Sequence, residues 1–253
     1  MRFTRIGGVR GSLRRAFADA ERLGYVYRNP IALTSPPSTE DSKRRQAFTA
    51  EEVRALLDVE DRLAPVWRLA FESGCRRGEL CGLRDEDIDG TRIHIRRQRL
   101  VRPTRDWEQD RVYTRERTKS GRNRAVVVSD EMAAVLWRWR AQRAQEQLAL
   151  GPAYDDAGWI CAEPDGSPIA PDTLSGRFNA LERRAGVPHR GLHATRHSHA
   201  EMALAGGARL DVLSRQLGHS SIAITADVYG HPNEEAAAAE AAIVSRAIEG
   251  KGR

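Results

Sequence analysis

Leu13, Phe17, Ala20 and Leu23 recur every three or four positions, which predicts a helix over 11–29. "YRNPIAL" closes it, because the residue before Pro30 is pushed out of helical backbone. The stretch "TSPPSTEDSKRR" (34–45) has no apolar period and is rich in Pro, Ser and charge, so it reads as an exposed linker and a domain boundary. In "AFTAEEV", Thr49 stands as an N-cap with Glu52 three residues on, and Phe48 and Val53 are placed to pack across the helix start. A helix therefore begins near 50, and a second over 61–73 stops at Gly74. The pattern then alternates: "RIHIRRQRLV" (92–101) and "RAVVV" (124–128) read as two strands joined by a long polar segment. Ser129 caps a helix with Met132, Val135, Leu136 and Trp139 on one face, and "GWICA" is a short buried strand. From 171 on, helices are expected over 171–185, 193–205, 209–217, 221–229 and 234–248, broken at "AGVPHRG", "AGGAR" and "GHSS". The expected fold class is mainly α with a small antiparallel β-sheet (α+β). Ile243, Val244, Ala247 and Ile248 give the last helix an apolar stripe suited to docking.

Composition narrows the possibilities. A chain of 253 residues can bury a sizeable core without staples. Cys75, Cys81 and Cys161 form neither a CxxC pair nor an even framework, which disfavours disulfides and thiolate zinc and fits a reducing, cytoplasmic setting. No apolar run approaches the roughly 18 residues a bilayer crossing needs, so no membrane association is expected. Charge is more informative for its placement than for its net value of +6. Residues 1–28 hold seven arginines against Asp19 and Glu21, and residues 92–124 hold eleven arginines plus Lys119 against four acids. Two basic islands on an otherwise acidic chain point to a polyanion, since cations that neutralise phosphates release counterions. A solvated arginine-rich surface would read the same way from charge alone.

Four separated segments carry residue types that handle phosphate: Arg76 in "SGCRRGEL", Lys119 in "TKSGR", His193 and Arg196 in "LHATRH", and His219 in "LGHSS". Tyr229 follows in "DVYGH". An arginine fork can bind two phosphate oxygens at once, so Arg76 and Arg196 could clamp one phosphodiester. His193 and Arg196, three apart, share a helix face. Taken singly, each of these residues could be an ordinary solvated or packing side chain. His189, His193, His197 and His199 invite a metal reading, but "HATRH" lacks the glutamate of HExxH and has no third ligand at helical spacing, so no metal is expected. A rival from another class is a non-catalytic helix-turn-helix-like DNA-binding protein, because "LDVLSRQLGHSSIAITADVYG" also reads as helix, turn, helix.

The order and spacing of these motifs resemble the tyrosine recombinase (phage integrase) family. Its signature is an arginine in a G-x-R-x-x-[ED] turn, a hairpin lysine, H-x-x-R, L-G-H and a C-terminal tyrosine. They stand here as Gly74 to Glu79, Lys119, His193 to Arg196, Leu217 to His219, and Tyr229. The resemblance covers roughly 48–231, which it marks as the catalytic domain. It implies that 1–33 is the last helix of an otherwise absent N-terminal core-binding domain, that 34–47 is a linker and that 232–253 is a helical tail. On this reading the chain is an N-terminally truncated integrase of a phage or mobile element, with activity impaired by the truncation, or an inactive fragment. The implied chemistry has Tyr229 attack the scissile phosphorus to give a 3′-phosphotyrosyl link, with His193 taking its proton and Lys119 protonating the departing 5′ oxygen. Arg76, Arg196 and His219 hold the non-bridging oxygens, and Glu79 supports the site from behind. The resemblance further implies no metal and no nucleotide cofactor, double-stranded DNA as partner, a tetramer on synapsed DNA, and in some cases an accessory DNA-bending protein.

Overall fold

The computed structural model describes residues 2–34, 46–102, 111–116, 124–218 and 221. Its backbone divides into two compact units, Met1–Arg45 and Gln46–Arg253. In the first, α1 spans Arg2–Arg22. The helix does not run on to Pro30 as the sequence led us to expect. Gly24 takes a left-handed φ of 76° and donates to Glu21 O at 3.1 Å, while Tyr25 N donates to Ala20 O at 2.9 Å. This Schellman pair satisfies the last carbonyls and turns the chain before the proline is reached. Asn29 then accepts from Ile31 N and donates to Arg14 O at 2.8 Å, folding the short turn Pro30–Leu33 back onto α1.

The second unit contains α2 (Ala50–Leu57), α3 (Ala64–Ser73), α4 (Arg77–Gly82), β1 (Ile88–Asp89), β2 (Arg92–Ile95), β3 (Gln98–Val101), β4 (Val112–Arg115) and β5 (Arg124–Val127). It continues with α5 (Asp130–Leu150), α6 (Pro171–Arg184), α7 (Ala194–Ala205) and α8 (Leu210–Leu217). The expected capping box of α2 is present: Thr49 N donates to Glu52 Oε2 at 2.8 Å, and Glu52 N to Thr49 Oγ1 at 3.2 Å. Ser129 caps α5 through Met132 N. The expected helices over 221–229 and 234–248 lie outside the described residues.

The strands depart from expectation in three places. The stretch 92–101 is two strands in two antiparallel sheets, ordered β1-β2-β5 and β3-β4. The chain breaks register because Arg97 turns inward to Asp87 at 2.8 Å, and Arg96 reaches the same carboxylate. β4, which pairs Leu100 with Tyr113, falls in the segment taken for a polar connection. "GWICA" forms no ladder: Trp159 and Ala162 make isolated bridges, to Arg84 and Pro168.

Burial explains the layering. Ile93, Ile95 and Val126 on the three-stranded sheet are buried together with Met132, Leu136 and Trp139 of α5. Phe178 of α6 has the rings of Trp67, Phe48 and Phe71 around it at 5.4, 6.0 and 6.3 Å. α4 lies directly on β3, where a Cβ at Gly78 would sit 2.7 Å from Arg99 O and one at Gly82 2.8 Å from Arg97 O. Ala200, Leu213 and Leu217 form a smaller core between α7 and α8. Among the described residues no helix is long and apolar enough to cross a membrane.

The two tryptophans of α5 should behave oppositely. Trp139 is 1% exposed and donates to Ile160 O, whereas Trp137 is 72% exposed. Trp139→Ala is expected to lose about 3–5 kcal/mol in urea unfolding, and Trp137→Ala less than about 0.5 kcal/mol. Equal losses would contradict this packing.

Candidate active site

Three chain segments meet at one buried carboxylate. α3 ends at Gly74, whose φ of 59° reverses the chain and delivers Arg76 as the N-cap of α4. Glu79, in the first turn of α4, accepts from Arg76 N at 2.8 Å, which satisfies an otherwise unpaired helix-start donor. The same carboxylate accepts from Arg76 Nη1 at 3.1 Å and, in a bidentate fork, from Arg124 Nη1 at 2.8 Å and Nη2 at 2.9 Å. The Glu79 side chain is only 2% exposed. Burial by itself would push its carboxyl up, but hydrogen bonds and charge from Arg124, followed by Arg76, outweigh that and hold it below the usual carboxylate value. Glu79 is thus ionised. Arg76 stays 43% exposed, with most of its N–H donors uncommitted to Glu79.

Arg196, in the first turn of α7, is buried. Its Nη1 donates to Gly74 O and its Nη2 to Leu217 O, both at 2.7 Å. One guanidinium thereby clips the turn before Arg76 to the end of α8. Burial, then the like charges of Arg76 and Arg124, bring its pKa down to about 10, so it remains a cation at neutral pH. Gly218 ends α8 with a left-handed φ of 66°, and a Cβ there would lie 2.6 Å from Arg124 Nη1. Three guanidinium groups therefore gather around one carboxylate, leaving two positive charges in excess. That excess could hold a phosphodiester, whose single negative charge grows as displacement proceeds.

His193 is the N-cap of α7, exposed, with its ring edge-on to His197 at 5.1 Å between centroids. The loop leading to it hangs on buried Glu182 of α6, which accepts from Arg190 N at 2.8 Å and Gly191 N at 2.6 Å and pairs with His189 Nδ1. Arg190 extends the tie by donating to Glu52 Oε2 and stacking on Phe48. Of the residues singled out from sequence, Arg76, Glu79 and Arg196 are thus brought together, and His193 opens the helix that carries Arg196. Lys119, His219 and Tyr229 lie outside the described residues. Sequence reasoning passed over Arg124 and Glu182. The one available signal for Arg124 was a charged residue opening the otherwise apolar run "RAVVV".

Residues 46–236 match the family model for the phage integrase family. A tyrosine recombinase XerC-like protein of Caldanaerobacter subterraneus subsp. tengcongensis is 30% identical over 241 residues, covering 89% of this chain and 62% of the relative. The ICEBs1 integrase of Bacillus subtilis is 28% identical over 240 residues, covering 91% and 62%. The chain spans about three fifths of the length of these curated relatives. Among solved structures, the Tn1549 transposon integrase in complex with transposon right end DNA matches with a TM-score of 0.80 at 21% identity, over 97% of this chain and 80% of that one. That likeness is one of fold.

His199 offers a test of the site's wall. Its ring lies where a Cβ on Gly74 would touch it at 2.9 Å, and Nδ1–H donates to Phe71 O at 2.9 Å. Burial, against the Phe71 hydrogen bond and aided by the charge of Arg196, lowers its pKa from the ordinary 6.5. Below that pH the unfolded chain takes up a proton that the folded chain refuses. The stability this group contributes is present above pH 6.5 and is lost as pH falls toward the depressed folded value. His199→Gln should flatten the fall in Tm between about pH 7.5 and about pH 5.5. An equally steep fall in the variant would show that His199 is not the group responsible.

Proposed function

The chain belongs to the phage integrase family, and on that premise we propose that it is a site-specific DNA recombinase that breaks and rejoins duplex DNA through a 3′-phosphotyrosyl intermediate. The observation that carries this reading is the gathering of Arg76 and Arg196, with a net positive excess, beside the buried Glu79 carboxylate. A phenol with a pKa of about 10 is a poor nucleophile at neutral pH, so it needs both a base and an electron-poor target. Arg76 and Arg196 supply the second by drawing charge from the non-bridging oxygens as it builds up during displacement. Arg196 also holds Leu217, two residues before His219, which supports the assignment of His219 to the same phosphate.

In the proposed first step Tyr229 Oη bonds to phosphorus and the bond to the 5′ oxygen breaks. His193 takes the phenolic proton and Lys119 gives one to the departing 5′ hydroxyl. The reverse sequence, with a 5′ hydroxyl from another strand as nucleophile, restores a phosphodiester and frees the tyrosine. The energy of the original bond is kept in the phosphotyrosine, so rejoining needs no nucleotide, and the arginines do the charge neutralisation that a metal ion performs in other phosphoryl transfers. Double-stranded DNA is the proposed partner, in keeping with the DNA complex of the Tn1549 integrase. The proposed working assembly is a tetramer on two duplexes, joined through the apolar stripe of the tail, with a DNA-bending protein at sites that need one.

Tyr229→Phe is expected to shift a target-site duplex in a gel as the unmodified chain does, yet to form no protein–DNA adduct that survives denaturation. Arg196→Ala should lower adduct formation by about 100- to 1,000-fold. Failure of the unmodified chain to trap any nicked duplex covalently would favour the helix-turn-helix-like binding protein and sink the enzyme reading.

A further inference from the structure

Glu79 is ionised and almost fully enclosed, so some cation must neutralise it. Two compete for it. Arg124 meets both carboxylate oxygens with its fork, at 2.8 and 2.9 Å, while the Arg76 side chain reaches one oxygen at 3.1 Å. Arg124 is itself largely enclosed, with its side chain 12% exposed. The better-matched and better-buried partner therefore carries the neutralisation, and Arg76 is left with its guanidinium facing outward. Without Arg124 the carboxylate would draw Arg76 in, and the phosphate would lose one of its two forks.

The same side chain has a second contact. Gly218 lies against it so closely that a Cβ would meet Arg124 Nη1 at 2.6 Å and Cδ at 2.7 Å. Gln216 Nε2 donates to Val127 O at 3.2 Å, holding α8 beside the strand that begins with Arg124. Arg124 thus stands between the carboxylate that controls Arg76 and the turn that leads to His219.

We propose that Arg124 is a positioning residue: it takes the charge of Glu79 so that Arg76 stays free to grip the phosphate, and its own side chain seats the Leu217–Gly218 turn. It acts through these neighbours, and the inference rests on the recombinase reading for its catalytic meaning. Inorganic sulfate is a probe of the site that needs no target DNA. Sulfate affinity, from calorimetry at a temperature where every variant is folded, should fall at least about tenfold in Arg124→Met. In the Glu79→Gln background the same substitution should cost less than about threefold, because the competing carboxylate charge is gone. The Glu79→Gln/Arg124→Met protein also removes the buried unpaired charge, so it guards against simple misfolding. A role confined to stability would restore Tm in the double variant and leave the two losses of affinity equal, which would overturn the proposal. Wild-type affinity in Arg124→Met would overturn it too. Covalent adduct formation on target DNA is read in parallel. If the unmodified chain forms none, the recombinase reading and the catalytic meaning of Arg124 fail together, whereas the sulfate cycle still decides the link between Arg124 and Glu79.

Discussion

Glu79 places a full negative charge where water hardly reaches, and much of the surrounding geometry follows from that. A buried carboxylate must be met by cations and donors or burial drives it to take up a proton and lose its charge. Here it is met by a backbone N–H at the start of α4 and by two arginines arriving from opposite directions in the chain, Arg76 and Arg124. The carboxylate thereby fixes the start of a helix, the start of a strand and the direction of the Arg76 side chain. Arg196 completes the arrangement with no carboxylate paired to it among the described residues. It spends two donors on carbonyls, Gly74 O and Leu217 O, which hold it without cancelling its charge. If the site takes an anion as proposed, one fully neutralised arginine is tolerable so long as the others keep their positive field.

The helical part of the fold was legible because its signals are local. The Thr49 and Ser129 caps and the apolar faces of α5 and α6 are written within a few neighbouring positions. The end of α1 was misread because Gly24, six residues before Pro30, already closes the helix. The β region was harder. Whether 92–101 is one strand or two depends on Arg97 finding Asp87, and β4 exists only because residues 112–115 meet 98–101. Pairings of that kind depend on distant segments. The site divides in the same way: Arg76, Glu79 and Arg196 stood out by motif, while Arg124 and Glu182 act through neighbours remote in sequence and carry no local mark.

The second basic island also reads differently in three dimensions. By charge count alone it is a uniform surface for a polyanion. Yet Arg97 is buried against Asp87, Arg99 lies with Arg84 on the ring of Trp159, and Arg124 is committed to Glu79. Arginine's weak hydration and planar fork suit it to such interior work, so part of this island's charge is structural. Arg143, paired with Asp85 and with Trp159 O, repeats the device on α5.

The clip made by Arg196 has a consequence for the order in which the protein comes into being. Its two acceptors lie 122 residues before it and 21 after it. A ribosome that has not yet released Leu217 holds a nascent chain in which Arg196 lacks half of its seating, however well the earlier helices have formed. The seating of Arg196 is therefore completed only after segments on both sides of it have been made, the later of them the end of α8.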